Sequence, residues 1–585
     1  MTERPTRNLT VINAVVYDPG SAYETAPRGV VVNDGVITYV GSSEQARERS
    51  APDAPVIDAG GRFLMPGLIE SHGHPGMYAK SLLQVDCRPA VTGTVEGIVE
   101  ALGEAAEHAE AGEWIAGWGY DEHRMDGPGP TLEDLDRASP NNPVFLRRTC
   151  AHMALVNTAA LELIGITDET PDPSGGCIVR DPESGRATGL LQEKAMSLID
   201  LPTDTPEGMT EGMRLALDDL ASKGVTAVHD MSSGPTEMGV YQTLLAEGSL
   251  SVRFRPWYFA LAQGEFPGSY DAVLGTGLRS GFGNDMLRYQ GLKFVLDGSV
   301  GGRTAAVAEP FEGSSSRGIL YYDTSEIEPL VAKAVAAGQR VAVHGIGERA
   351  VTQALDLIEA GGRDAAAISG GDGSSEAEPG HTDQRETTAQ EHHDSTDHDA
   401  QEHYDTVVRS RRHRVEHCGL PNEEELDRLR DGNIIAAAST AFLYELGDSY
   451  LNNLGPDRIA RTYPMRTFID HGIEAPINSD FPVTTPNPWL GVYAAVARRT
   501  SSGRLLDTVQ NISVAEAIAA FTTVAARASF EEDRLGRIAE GYLGDLVLMD
   551  RDPFSVETED LKDLRPVLTV CDGRVVYHAE GESND

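Results

Sequence analysis

Two histidines one residue apart, His72 and His74, close the run Leu64-Met65-Pro66-Gly67-Leu68-Ile69-Glu70-Ser71. Read as one buried strand, the stretch sends residues i and i+2 to the same face, so both imidazoles reach one point and Gly73 leaves room between them. Imidazoles at that spacing suit a divalent metal such as Zn²⁺. A surface histidine pair at a strand end is the plainer alternative, and the apolar run with Pro66-Gly67 ahead of the pair weighs against it. Farther along, Lys293, His344, His417 and Asp480 also fall at or near the ends of apolar runs.

The elements that must position these residues are strand-like runs alternating with helical patterns. After the His72/His74 run come Val225–His229, Val252–Phe259, Leu292–Leu296, Arg340–His344, Arg414–His417, Ile434–Ala438 and Pro476–Asp480. Helical periodicity covers Ala350–Glu359 and Glu423–Leu429 between some of them. The alternation predicts an α/β fold, a (β/α)8 TIM barrel over residues 64–535. In such a barrel the C-terminal strand ends share one mouth, so His72, His74, Lys293, His344, His417 and Asp480 become one cluster.

Three segments stand outside that rhythm. Residues 76–222 are too long for a single crossover and predict a cap-like insertion over the mouth. Both chain ends are β-rich, with a hairpin at Asn33-Asp34-Gly35 and strand patterns at Gly544–Asp550 and Val567–Tyr577. They predict a composite β-sandwich domain of residues 1–63 and 536–585. Residues 361–406 are rich in Gly, Ser, Asp and Glu and read as a disordered acidic insertion. Its histidines, His381, His392, His393, His398 and His403, read as part of a solvated linker more readily than as a metal store.

Composition narrows the function classes. The 585 residues carry 48 Lys+Arg against 91 Asp+Glu, a formal charge of −43, which argues against nucleic acid or an anionic membrane as partner. Only six of the bases are lysine, and an acidic, lysine-poor surface predicts a halophilic protein. Five scattered cysteines give neither a disulfide framework nor a Cys-x-x-Cys metal knuckle, and no apolar run reaches membrane-spanning length. The expectation is a soluble cytoplasmic protein acting on a small molecule, with a homodimer left open.

Several motifs together resemble the metal-dependent amidohydrolase superfamily, and within it the YtcJ-like group that includes N-substituted formamide deformylases. They are Pro66-Gly67 with His72-Gly73-His74, Trp118–Asp121, His152 with Val156-Asn157, Lys293–Gly298, Arg303–Ala305, Val343–Ala350, Arg414–His417, Asn478–Val483 and Gly536–Gly541. Glu70 and Glu348 stand where that pattern usually has aspartate. The resemblance implies two divalent metal ions, Zn²⁺ by preference. His72 and His74 would hold one, His344 and His417 the other, and a carboxylated Lys293 would bridge them. Asp480 would touch the metal centre and act as general base, so that metal-activated hydroxide cleaves a carbon–nitrogen bond of a non-peptide amide. Trp118, Tyr120, Asp121, His152 and Arg303 are the candidates for substrate binding, although they could equally pack the cap. Hydrolysis of a lactone, carbamate or phosphoester on the same site is the alternative chemistry. A metal-binding regulatory protein without turnover is the alternative class.

Overall fold

The computed structural model describes residues 6–122, 125, 127–149, 153–173, 176–199, 205–263, 266–370 and 408–579, with the backbone alone at Ala90, Glu193, Ser197 and 364–370. In chain order the strands are β1 (Leu9–Val16), β2 (Pro27–Asn33), β3 (Val36–Gly41), β4 (Val56–Asp58), β5 (Phe63–Pro66) and β6 (Leu68–Gly73). Next come β7 (Val85–Asp86), β8 (Ile115–Tyr120), β9 (Val144–Arg148), β10 (Met153–Val156), β11 (Gly176–Arg180) and β12 (Ala187–Glu193). The remaining strands are β13 (Val225–Asp230), β14 (Arg253–Phe254), β15 (Trp257–Phe259), β16 (Gly291–Val295), β17 (Val341–Gly345), β18 (Arg414–His417), β19 (Ile435–Ala437), β20 (Leu546–Met549), β21 (Pro566–Cys571) and β22 (Arg574–His578).

Buried parallel strands form the body. β14-β13-β6 make one parallel ladder and β15-β16-β17-β18-β19 another. Isolated parallel bridges link Ser233 to Tyr258, Ala438 to Ile477 and Gly73 to Phe481. Because both faces are covered, these strands are buried along almost their whole length, and Leu292, Phe294, Val341, Val343 and Val415 share one core with helices Thr324–Ala336 and Glu348–Gly370.

The chain ends do meet, but their hydrogen bonding is that of one eight-stranded sheet, β22-β21-β20-β5-β1-β2-β3 with β4 on β1, where a two-sheet sandwich was expected. Two buried arginines tie the body to the C-terminal segment: Arg253 donates to both carboxylate oxygens of Asp545 at 2.7 and 2.8 Å, and Arg255 to Glu531 at 2.8 Å. Residues 76–222 carry the sheet β11-β12-β10-β9-β8-β7, with apolar clusters of its own around Leu146 and Phe145.

Four local expectations change. The run Leu64–His74 is two strands: β5 belongs to the terminal sheet, and only β6 belongs to the parallel body. Gly67 is the joint, because any Cβ there would meet the Thr226 hydroxyl at 2.1 Å. Val252–Phe259 breaks into β14 and β15 around Pro256, which lacks a ladder donor. Pro476–Asp480 forms no strand and touches its neighbours through the single bridges at Ile477 and Phe481. Residues 361–370 of the expected disordered insertion continue the helix Glu348–Gly370, since Ala365-Ala366-Ala367-Ile368 extend an existing helix at little cost. Positions 371–406 lie outside the described residues.

Candidate metal centre and its cavity

His72 lies on β6 and is fully buried, and His74 follows at the head of the helix Pro75–Leu82. Backbone bonds bring the eighth segment against them. Asp480 N donates to His72 O at 3.1 Å, and His74 N donates to Phe481 O at 2.8 Å. Glu70 completes the join by accepting from Ser479 Oγ at 2.7 Å and from the backbone N of Ser479 and His72. Burial pushes the Glu70 carboxyl up to about 8, against those hydrogen bonds. His72 Nε2 and His74 Nε2 then meet Asp480 Oδ1 at 3.2 and 3.0 Å. Asp480 holds this position with φ +54°, in the left-handed region that non-glycine residues seldom occupy.

The outer nitrogen of each imidazole decides what the inner one can do. His72 Nδ1 sits 2.6 Å from Glu416 Oε2, a carboxylate that only accepts, so the ring proton is on Nδ1. Burial lowers the His72 pKa, so the ring is neutral and Nε2 carries a bare lone pair. His417 Nδ1 is 2.8 Å from Ser439 Oγ, which donates its own proton to Asn478 Oδ1 at 2.7 Å. That serine therefore accepts from His417, whose pKa burial holds well below the usual histidine value. His74 Nδ1 makes the same kind of bond to Ser232 Oγ at 2.8 Å. The His72 ring lies 4.7 Å from that of His417 and 5.3 Å from that of His74.

A bare nitrogen lone pair against a carboxylate oxygen is repulsive unless a cation lies between them. Both His72 Nε2 and Asp480 Oδ1 are buried without a hydrogen-bond partner. The donor set, two imidazoles and a carboxylate with ligand atoms within 4.8 Å of one another, fits a divalent ion such as Zn²⁺.

The other expected ligands are near but arranged differently. His344, on β17, has its ring 4.5 Å from His417, yet its Nε2 faces Gly298 O and Asp297 Oδ1, each at 3.3 Å. Lys293 is buried on β16, two residues before the partner of His344 in the ladder, and burial lowers its amine to about 8 against the pull of Glu416 and Asp480.

Several buried groups that organise the site had no part in the sequence reading. Glu416 accepts from Arg414 Nε at 2.6 Å as well as facing His72, and although burial would raise the carboxyl, Arg414, His72 and Lys293 together hold it well below its usual range. Arg414 also donates to His229 Nδ1 at 2.7 Å and to Ser71 O at 2.7 Å. Asp297 accepts from the backbone N of Ala306, Ile346 and Gly347. The signal was present in Arg414-Val415-Glu416, an opposite-charge pair on one face of an otherwise buried strand.

A cavity of about 800 Å³ opens over the centre, lined by His344, Asp480, Phe442, Tyr450, Asp121 and Arg303 among others. Of the substrate candidates, Asp121 and Arg303 reach it. Trp118 and Tyr120 do not line it. Trp118 is buried in the cap sheet beneath the Arg147 guanidinium, 5.9 Å from its ring, and Tyr120 packs in the cap core. His152 lies outside the described residues.

A model described as the amidohydrolase family matches residues 55–390 and 380–577, nearly the whole chain. The chain belongs to the amidohydrolase family. It is thus a hydrolase acting on carbon–nitrogen bonds. The putative amidohydrolase YtcJ of Bacillus subtilis (strain 168) is 29% identical over 94% of this amidohydrolase and 95% of its own length. The N-substituted formamide deformylase of Arthrobacter pascens is 26% identical over 98% and 99% of the two chains. The structure of an uncharacterized metal-dependent hydrolase from Pyrococcus horikoshii OT3 superposes with a TM-score of 0.71 at 25% identity, covering 94% of this chain and 99% of that one. Among the described residues no helix is long and apolar enough to cross a membrane.

Proposed function

We propose that this amidohydrolase cleaves the amide bond of a small, non-peptide N-acyl or N-formyl amine, and that the two parallel ladders are arcs of one eight-unit barrel closed through the bridges at Ile477 and Phe481. The observation that carries the reading is the meeting of two inward imidazole nitrogens with Asp480 at the floor of an 800 Å³ cavity, a volume suited to a small organic substrate. Similarity to a formamide deformylase over almost its full length supports the choice of bond.

His72, His74 and Asp480 would hold one Zn²⁺, and His344, His417 and a carboxylated Lys293 the second position. Bound there, divalent metal supplies Lewis acidity for the carbonyl oxygen and lowers the pKa of water toward neutrality. Glu416 and Ser439 keep the proton on the outer nitrogen of His72 and His417, so the inner nitrogens stay free to coordinate. Asp480 takes the proton of the attacking water and delivers it to the nitrogen, which leaves as a neutral amine while the acyl carbon keeps the hydroxyl. Amides depend on that delivery because an amide nitrogen departs poorly as an anion, whereas an aryl ester expels a stabilised phenoxide. The acidic, lysine-poor composition supports reading the enzyme as one that works in a cytoplasm of high salt.

Hydrolysis of N-formyl amines, N-acyl amines, cyclic amides, lactones, aryl esters and phosphoesters by zinc-loaded protein tests the reading. Amides are expected to turn over, and Asp480→Asn is expected to lower amide kcat by about 10²- to 10⁴-fold, with a smaller loss on the aryl ester. Cleavage of lactones or phosphoesters with no amide cleaved would favour the alternative chemistry. No hydrolysis at all would favour a regulatory protein.

A further inference from the structure

Among the described residues, Arg303 is the cationic side chain in the cavity that pairs with no acid. It sits on the loop after β16, exposed, with φ +55°, a backbone geometry that costs energy away from glycine. The loop is nevertheless fixed. Thr304 Oγ1 accepts from Ser299 N, Ser299 Oγ accepts from Gly302 N, both at 3.0 Å, and Arg303 N closes a turn on Val300 O. Arg303 Nε donates to Asn453 Oδ1 at 2.8 Å, and Asn453 Nδ2 returns a bond to Val300 O at 2.9 Å, so the guanidinium is held by a buried amide instead of a carboxylate.

That arrangement stands out in a chain where acids outnumber bases 91 to 48. The cavity's carboxylates are engaged elsewhere: Asp121 and Glu122 with Arg148 at 3.1 and 2.8 Å, Glu445 with Thr485 N at 2.8 Å, and Asp448 with Arg504 at 3.2 Å. A guanidinium anchored through Nε keeps its two terminal nitrogens as a planar fork of donors, which matches a carboxylate. Phe442 and Tyr450 line the same cavity and offer apolar surface to a substrate held there.

We propose that Arg303 anchors a carboxylate of the substrate, so that the amide cleaved is an anionic one of the N-acyl amino acid type. This rests on the amide-hydrolase reading and deepens it. Hydrolysis itself is unchanged: the C–N bond breaks, water gives its hydroxyl to the acyl carbon and its remaining hydrogen passes through Asp480 to the amine nitrogen.

The experiment compares N-formyl-phenylalanine with N-formyl-2-phenylethylamine, which differ only in the carboxylate, on zinc-loaded wild type, Arg303→Gln and Arg303→Lys, with Tm and metal content confirming the fold. Wild type is expected to prefer the carboxylated substrate by at least about tenfold in kcat/KM. Arg303→Gln should bring the ratio to about one, and Arg303→Lys should retain part of it, having charge without the fork. Equal rates on the two substrates in wild type, or a preference that survives in Arg303→Gln, overturns the anchor while leaving amide hydrolysis standing. Should neither formamide be cleaved, calorimetric binding of N-formyl-phenylalanine decides the anchor separately: binding at least about tenfold weaker in Arg303→Gln upholds it, and unchanged binding removes it.

Discussion

The two sides of the histidine cluster are held in different ways. On the β6 side, His72 and His74 have their outer nitrogens tied to Glu416 and Ser232, and their inner nitrogens already converge on Asp480. On the β17 side, His344 spends its Nε2 on Gly298 O and Asp297, and its ring would have to turn to join Lys293 and His417 around an ion. One half is arranged before any ligand arrives, and the other must be rearranged by it. A preorganised set gives up less on binding, so the two positions should differ in affinity.

The largest effect that would break this contrast comes from removing a ligand on each side. His72→Ala should abolish tight metal binding and lower kcat/KM by on the order of 10³-fold. His344→Ala should keep one tightly held ion and lose the weaker one, with metal analysis of wild type after zinc and bicarbonate giving close to two. A wild-type value that stays near one would leave a mononuclear centre on the β6 side. A smaller effect sharpens the contrast: Glu416→Gln, which weakens the acceptor for His72 Nδ1, should cost about 10- to 100-fold in affinity at the tight position alone. An equal loss at both positions would show that the halves are coupled.

The strand ends were legible because a buried parallel strand is a continuous apolar run, and an ionisable residue at its end stands out. His344 was marked that way, whereas Lys293 sits in the middle of β16 and His417 ends a strand that also carries Arg414 and Glu416. What stayed hidden depends on partners far along the chain. Nothing local to Leu64–His74 says that Phe63–Pro66 will pair with Leu546–Met549 while Leu68–Gly73 pairs with β13. Pro476–Asp480 has the composition of a strand, but only single bridges form there. Trp118 and Tyr120 lie in a motif beside Asp121, yet Tyr120 packs in the cap core and Trp118 is buried beneath Arg147, and only a three-dimensional cavity separates them from Asp121. Glu416 was masked by its neighbour His417, whose role was the more familiar.

The smallest effect belongs to a pair remote from both halves. Arg537 grips Asp18 through Nε at 3.0 Å and Nη2 at 2.6 Å. Burial would raise the Asp18 carboxyl, but Arg537 together with the hydrogen bonds from Ser21 Oγ and Gly20 N outweighs it and holds the value below the usual carboxylate range. A depressed folded-state pKa stabilises above the unfolded value of about 3.9 and is lost as pH falls through the folded value. Asp18→Asn should therefore cost about 1 kcal/mol or less at pH 7, flatten stability below pH ~4 and leave both metal positions unchanged. Denaturant midpoints at the two pH values provide the check, and a shift in metal affinity would show that the terminal sheet reaches into the site.

The insertion of β5 between β1 and β20 has a consequence for synthesis. The edge of β5 that β20 will cover is made early, and its partner is translated only near the end of the chain. At ribosomal speeds of about 5–20 residues per second that edge waits from roughly half a minute to well over a minute. An open strand edge invites pairing with other chains. Nascent or prematurely ended chains that stop before Leu546 should thus be the aggregating species, with Gly67 passing the unfinished edge directly to the strand that carries His72.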